Sequence, residues 1–231
     1  MDAPRQNLRI VCVGGHPDDP QSGCGGTMAR CADFGHEVVA LFLTRGEFGI
    51  PGKPPAETAA IRSAEAQRSC GILRAQFVFA DQVDGHTELN EVQYRQFGDL
   101  LETQRPDVIF THWPIDTHPD HRAASLLSYD FWLAGGRRVP FIYYEVESGA
   151  QTQDFWPTDY VDISSVEVRK RTACLAHAST VDGWLPLHDE MQKFRGFEAG
   201  CKGAEAFVCH GGGRDRRPLT ELLRLAGESH P

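Results

Sequence analysis

The chain has 231 residues, a length typical of one large α/β domain or of one domain with a C-terminal elaboration. Hydrophobic residues make up 41% of the chain, which excludes a disordered or collagen-like protein. The formal net charge is −9. An acidic chain is a poor candidate for sequence-independent nucleic-acid binding, because that binding needs a basic surface.

Apolar runs and cysteines indicate the compartment. No run approaches the roughly 20 apolar residues that cross a bilayer, and only a short apolar stretch, residues 8–13, follows the N-terminus. We therefore expect neither a membrane span nor a signal peptide. The seven cysteines are scattered and contain no C-x-x-C pair. This pattern is typical of a reduced, cytoplasmic protein rather than of a disulfide framework or a thiolate zinc site.

Short apolar runs alternate with segments of helical period along the first 150 residues. The alternation predicts βα units, and hence a Rossmann-like α/β fold with a mostly parallel sheet flanked by helices. The predicted strands cover residues 8–13, 37–43, 76–79, 107–111 and 140–145. The predicted helices cover residues 25–34, 55–70, 89–104 and 121–131.

Beyond about residue 150 the alternation weakens, which predicts a smaller C-terminal cap within one domain, 1–231, whose core covers about 8–150. The predicted elements there are a strand at 160–163, helices at 164–178 and 188–201, a last edge strand at 206–209, and an amphipathic helix at 218–226. A glycine joint at 211–213 and a basic segment at 214–217 are predicted to form a solvated linker.

Histidine and aspartate cluster in two segments that each follow a predicted strand. His16-Pro-Asp-Asp19 follows the first strand, and His118-Pro-Asp-His121 follows the fourth. Either segment alone is explained as a loop histidine capped by an aspartate. Because the carboxyl ends of parallel strands line one crevice, the two segments can meet there. Imidazoles with a carboxylate and no thiolate suit Zn²⁺ or another divalent transition metal, with a coordination position left for water.

Two other kinds of site are disfavoured by the same segments. The glycines near the first helix do not form G-x-G-x-x-G, and Asp18 and Asp19 would place negative charge where a pyrophosphate binds. A serine nucleophile lacks support because no G-x-S-x-G motif occurs.

The two segments resemble the hallmark motifs of the LmbE-like or PIG-L-type zinc-dependent N-deacetylases. The family's A/G-H-P-D-D-E is similar to residues 15–19, and its H-x-D-H-x-x-A is similar to residues 118–124. Weaker landmarks extend the resemblance over residues 8–208; they are residues 43–47, 62–65, 84–85, 177–179 and 204–207.

The resemblance implies a division of roles among the motif residues. It implies Asp18 as the general base and His118 as the residue that polarises or protonates the scissile amide. Asp120 is expected to orient an imidazole from behind. The implied zinc ligands are His16, Asp19 and His121.

Further residues are expected to bind substrate or to stabilise nearby turns. The candidates for substrate binding are Glu47, Arg62, Asp84 and Trp113. The structural alternatives are an i, i+3 ion pair for Arg62 and Glu65, a turn for Asp84 and packing for Trp113. The chain departs from the family at Pro20, where the motif has glutamate; proline stiffens the loop and removes a backbone donor.

The sequence therefore predicts a metal-dependent hydrolase that removes an N-acetyl or other N-acyl group from an amino sugar or glycoconjugate. Two alternatives stay open: an amidase for a non-sugar N-acyl metabolite or thiol conjugate, and a metal-retaining binding protein without turnover. The resemblance also implies a homotrimer or homohexamer. The C-terminal helix is expected either to contribute to that assembly or to pack on its own domain.

Overall fold

The computed structural model describes residues 7–210 and 217–225. The strands are β1 (Arg9–Gly14), β2 (Glu37–Thr44), β3 (Gln76–Gln82), β4 (Val108–His112), β5 (Phe141–Tyr144), β6 (Asp159–Asp162) and β7 (Ala204–Cys209). The helices are α1 (Asp19–Asp33), α2 (Pro55–Leu73), α3 (Glu91–Gln104), α4 (Pro119–Ala134), α5 (Glu167–Leu175), α6 (Leu185–Ala199) and α7 (Leu219–Leu222), with a 3-10 helix at Val181–Gly183.

Within these ranges the strands form one sheet in the order β3-β2-β1-β4-β5-β7-β6. The first five strands pair in parallel, and β7 pairs antiparallel with both β5 and β6. This mostly parallel sheet confirms the predicted fold class. The prediction that residues 206–209 form the edge strand was wrong: β6 lies at the edge, and β7 lies inside the sheet. The buried run Ala204–Phe207 is covered on both sides, which suits an interior strand.

Helices cover both faces of the sheet, which explains why strands such as β1 are apolar at successive positions. In β1, Ile10 and Cys12 join the core cluster that contains residues of α1, α2 and α5. The alternate residues Val11 and Val13 join the cluster that contains residues of α3 and α4. Successive side chains of a strand point to opposite faces, so a strand between two helical layers is apolar at every position.

Helix α1 begins at Asp19, earlier than the predicted start at residue 25, and is interrupted at Cys24, whose φ is −141°. Glu205 caps the second segment: its carboxylate accepts hydrogen bonds from the backbone N–H groups of Gly26 (2.8 Å) and Thr27 (2.7 Å). These donors would otherwise be unsatisfied at a helix start. Their acceptor lies in β7, so no local sequence pattern reveals it.

The C-terminal helix packs on its own chain. Leu219, Leu223 and Leu225 are buried in the core cluster. His36 also holds this segment, because its Nδ1 accepts a hydrogen bond from Leu8 N–H and its Nε2 lies 2.8 Å from the carbonyl oxygen of Leu223. Docking on the parent domain, one of the two expectations for this helix, is thus the arrangement found. The predicted joint, most of the basic segment and Ala226 lie outside the described residues.

Leu223→Ala is expected to lower the free energy of unfolding by about 2–4 kcal/mol, because it leaves a cavity under a fully buried side chain. Leu222→Ala is the matched control: Leu222 is only partly buried, and we expect a loss below about 1 kcal/mol. Urea denaturation measures both values. Equal losses would contradict the difference in burial between the two leucines, and a mass change in light scattering for Leu223→Ala alone would indicate that the helix packs on a second copy.

Candidate active site

The carboxyl ends of β1 and β4 bring the two histidine and aspartate segments into one cavity of about 390 Å³. Because β1 and β4 are neighbours and run parallel, the loops that follow them lie side by side. The motif residues that line the cavity are His16, Asp18, Asp19, His118 and His121. The meeting of the two segments, expected from their positions after the strands, is therefore observed.

His16, Asp19 and His121 converge on one point. His121 Nε2 lies 3.2 Å from His16 Nδ1 and 3.3 Å from Asp19 Oδ1. His16 Nδ1 lies 3.3 Å from Asp19 Oδ2. Ligand atoms about 2.0–2.1 Å from a tetrahedral Zn²⁺ ion lie about 3.3 Å from one another. The donor set and its spacing therefore fit a divalent metal ion.

The electrostatics of the cluster also fit a cation. Burial lowers the pKa of His121, but Asp19 and Asp116 raise it more, so the pKa is about 9. His16 shows the same balance, with the carboxylate of Asp19 opposing burial, and its pKa also rises. The carboxylates thus favour positive charge at the ring nitrogens, and a bound dication would take the place of those protons.

Two aspartates contact the Nε2 side of the His16 imidazole, opposite the nitrogen that faces Asp19 and His121. His16 Nε2 lies 3.1 Å from Asp120 Oδ2 and 3.2 Å from Asp84 Oδ1. Asp120 Oδ2 also accepts a hydrogen bond from the backbone N–H of Gly85 (2.7 Å). A carboxylate on the far nitrogen orients an imidazole and leaves the near nitrogen free for a metal. The structure thus places Asp120 where the sequence predicted an orienting carboxylate.

Two supporting residues of His121 were not identified from the sequence. Asp116 Oδ1 lies 3.2 Å from His121 Nδ1. His112, at the end of β4, stacks on the His121 ring with centroids 4.0 Å apart, and its Nε2 lies 3.1 Å from Asp19 Oδ2. Burial, and then the charge of His121, lower the pKa of His112 to about 4, so its ring is neutral at neutral pH. The position of His112 after a strand was the available signal.

Asp18 lines the same cavity and forms a buried ion pair there. Its Oδ2 accepts hydrogen bonds from Arg62 Nη2 (2.8 Å) and Thr180 Oγ1 (3.0 Å). Gly46 makes room for the guanidinium, because a Cβ on this residue would lie 2.1 Å from Arg62 Nη1. Arg62 therefore pairs with Asp18 rather than with Glu65, whose carboxylate accepts a hydrogen bond from Ser179 Oγ.

His118 begins α4 and uses one ring nitrogen as a helix cap. Its Nδ1 accepts a hydrogen bond from the backbone N–H of Asp120 (3.2 Å). In the neutral imidazole this assigns the proton to Nε2. Burial, and then the charges of His16 and His121, lower the pKa of His118. At neutral pH the ring is thus a neutral hydrogen-bond donor beside the cluster.

The remaining predicted residues lie in different places. Asp84 lines the cavity, whereas Glu47 supports the loop behind it by accepting a hydrogen bond from Asp84 N–H (3.2 Å). Trp113 does not line the cavity: its indole N–H donates to the carbonyl of Gln153 (3.0 Å) and its ring packs against other aromatic rings. Pro20 lies in the first turn of α1, where a missing N–H removes no helix hydrogen bond.

The comparisons with known proteins agree with this architecture. A family model described as PIG-L: GlcNAc-PI de-N-acetylase matches residues 11–132. The diacetylchitobiose deacetylase of Thermococcus kodakarensis is 32% identical over 187 residues, which are 74% of this chain and 69% of that protein. The resemblance recognised from the two motifs is thus confirmed.

Two solved structures share the fold. The N,N'-diacetylchitobiose deacetylase from Pyrococcus horikoshii has a TM-score of 0.79 at 24% identity and covers 94% of this chain and 89% of its own. GalB, the 4-carboxy-2-hydroxymuconate hydratase from Pseudomonas putida, has a TM-score of 0.80 at 20% identity. The match covers 91% of this chain and 99% of GalB. Because a deacetylase and a hydratase share this fold, the reaction has to be argued from the site.

Proposed function

The chain belongs to the PIG-L family, and on that premise we propose that it is a metal-dependent hydrolase that removes an N-acetyl group from an amino sugar or glycoconjugate. The observation that carries the proposal is the convergence of His16 Nδ1, His121 Nε2 and the Asp19 carboxylate in the same cavity as Asp18 and His118. Side chains that can hold a metal ion, beside a carboxylate base and a neutral imidazole donor, are suited to amide hydrolysis.

The residues that would hold the metal are His16, Asp19 and His121, and we propose Zn²⁺ as the ion. When bound, such an ion would polarise the amide carbonyl and lower the pKa of water. Asp120 and Asp84 keep the His16 ring oriented through its other nitrogen.

The proton transfers fall to Asp18 and His118. Arg62 and Thr180 both bind Asp18 Oδ2, which leaves Oδ1 to take a proton from the attacking water. His118, with its proton on Nε2, donates a hydrogen bond to the oxyanion of the tetrahedral intermediate. The proton that Asp18 gains is then returned to the departing amine.

An amino-sugar substrate is supported by the relatives and by the cavity. The two deacetylases compared above are named for diacetylchitobiose, an N-acetylated sugar. Carboxylates, whose oxygens accept hydrogen bonds from hydroxyl groups, line the cavity. Among the described lining residues the one guanidinium, from Arg62, is already paired with Asp18. The presence of both Asp18 and His118 in the cavity favours turnover over a binding protein without catalysis.

We propose that Arg62 positions the base and does not bind substrate. Arg62→Lys is expected to lower kcat by about 10- to 100-fold, because the planar guanidinium that donates from Nη2 to Asp18 Oδ2 is lost. KM is expected to change less than about threefold, since a positioning residue does not contact the substrate. Steady-state kinetics of the metal-replete variant gives both constants. A rise in KM at unchanged kcat would instead indicate that Arg62 binds substrate, as expected from the sequence.

The proposed function is tested by release of acetate. The Zn²⁺-reconstituted protein is incubated with diacetylchitobiose, other N-acetylglucosamine conjugates, an N-acetylated thiol conjugate and plain N-acyl amines, and acetate and primary amine are measured. We expect turnover of the sugars and much slower reaction of the plain amides. Preference for a non-sugar amide or thiol conjugate would replace the substrate class, and no turnover of any amide would favour a binding protein.

We further propose a cytoplasmic protein that assembles as a trimer or hexamer. All seven cysteines are free, which suits a reducing compartment. Over residues 7–210 and 217–225, no helix has the length and apolarity needed to cross a membrane. Light scattering tests the assembly; a monomeric mass would contradict it.

A further inference from the structure

We infer that Glu147 selects hydroxyl-bearing sugars: its carboxylate accepts hydrogen bonds from the hydroxyl groups that flank the acetamido group of the substrate. This inference rests on the proposed function, because it names the residue that distinguishes an amino sugar from a plain amide. Neither of the two motifs contains Glu147, which lies in the loop between β5 and β6.

Glu147 lines the cavity, and its carboxylate accepts no hydrogen bond from the described residues. It is half-buried and lines the cavity together with the residues of both motifs. The other lining carboxylates are paired: Asp18 with Arg62, Asp19 with the histidines, and Asp84 with His16 and the backbone N–H of Phe48. Among the described residues, no side chain or backbone group donates to the Glu147 carboxylate. A partly desolvated carboxylate gains from donors, so a ligand with hydroxyl groups would fill this need.

The backbone holds Glu147 in a conformation that a residue with a Cβ adopts rarely. Its φ is +42°, in the left-handed region. Its N–H donates to His188 Nε2 (3.3 Å), and its carbonyl accepts from the N–H groups of Ala150 (2.9 Å) and Gln151 (2.8 Å). Strained residues that are held from both sides occur often where a ligand is bound. The loop therefore fixes the backbone of Glu147, and with it the direction of its Cα–Cβ bond, before the substrate arrives.

The charge at Glu147 also selects the kind of substrate. Burial, and then the charge of Asp19, raise the pKa of Glu147, as expected for a carboxylate that lacks donors. An anionic group next to it would be repelled, whereas a neutral hydroxyl would be bound. We therefore expect neutral amino sugars, rather than phosphorylated or carboxylated ones, to occupy this side of the cavity.

The test compares two amines that differ in their hydroxyl groups. Glucosamine and cyclohexylamine both carry an ammonium group on a six-membered ring, and only glucosamine carries hydroxyls. Calorimetry on the Zn²⁺-reconstituted protein measures the binding of each to the wild type and to Glu147→Gln. We expect Glu147→Gln to bind glucosamine about 10-fold more weakly, the size of one hydrogen bond to a charged acceptor, and cyclohexylamine within twofold of the wild type.

Asp154→Asn provides the matched control. Asp154 lies in the same loop, also has a positive φ (+50°), and is exposed outside the cavity lining. This variant is expected to bind both amines as the wild type does. Equal weakening of both amines in Glu147→Gln would show that Glu147 recognises the ammonium group and would overturn the inference. Unchanged glucosamine binding, or none in the wild type, would overturn it too.

A second variant separates binding from folding. Glu147→Gly relieves the left-handed strain, so we expect its thermal unfolding midpoint to equal or exceed that of the wild type while glucosamine binding falls as in Glu147→Gln. A lowered midpoint would mean that Glu147 stabilises the loop rather than binding a ligand. Binding does not require turnover, so failure of the acetate assay with intact, Glu147-dependent glucosamine binding refutes the proposed function alone. Turnover of sugars with Glu147-independent binding refutes this inference alone.

Discussion

Asp18→Asn is expected to lower kcat by about 10²- to 10⁴-fold while the bound metal is retained, because a general base contributes about that factor. The amide of asparagine has the size of the carboxylate and its oxygen can still accept the Arg62 and Thr180 hydrogen bonds. It cannot take a proton from water at neutral pH. The change therefore removes proton transfer and leaves the shape of the cavity.

The measurement for Asp18→Asn pairs acetate release with metal analysis on the same protein. Asp33→Asn is the control, since Asp33 also forms an ion pair with an arginine, Arg169, but lies at the surface away from the cavity. We expect full activity from this control. Wild-type kcat in metal-replete Asp18→Asn would show that another group is the base, and metal loss in that variant would make Asp18 a ligand.

His121→Ala is expected to reduce the bound metal from one equivalent per chain to a trace and to abolish turnover. It removes one of the three proposed ligands, so the loss of metal affinity should exceed the roughly 10- to 100-fold that changes to supporting residues cost. Metal analysis after dialysis against a weak chelator measures the affinity without relying on activity. His86→Ala, which removes an exposed imidazole, is expected to keep the full equivalent.

Three other groups of possible ligands occur among the described residues; two of them contain His121, and this experiment tests the one that does not. His16, Asp84, His118 and Asp120 also present ligand atoms within 4.8 Å of one another. An ion bound there would survive His121→Ala and would be lost in Asp84→Asn. We expect the opposite, because the spacing of His16, Asp19 and His121 matches tetrahedral coordination, whereas Asp84 and Asp120 already bind the far nitrogen of His16.

Local sequence patterns were enough to predict most strands of the N-terminal core and the positions of both motifs. Strands β1 to β5 were predicted within a few residues, because their apolar runs are bounded by glycine, proline or polar residues that act over short distances. The position of the motifs after β1 and β4 followed from the same pattern. The proposal that His16, Asp19 and His121 bind a metal could be made from the sequence, because their residue types and spacing lie within two short segments.

Tertiary contacts alone decided the rest. Glu205 caps α1 from 179 residues away, and the partner of Asp18 proved to be Arg62 on α2. Trp113 follows β4 at the edge that bears the site, yet its ring packs against aromatic neighbours instead of entering the cavity. A sequence shows which side chains need partners but not which distant group satisfies them, because a buried polar group is stabilised by whichever donor or acceptor the fold brings within hydrogen-bond distance.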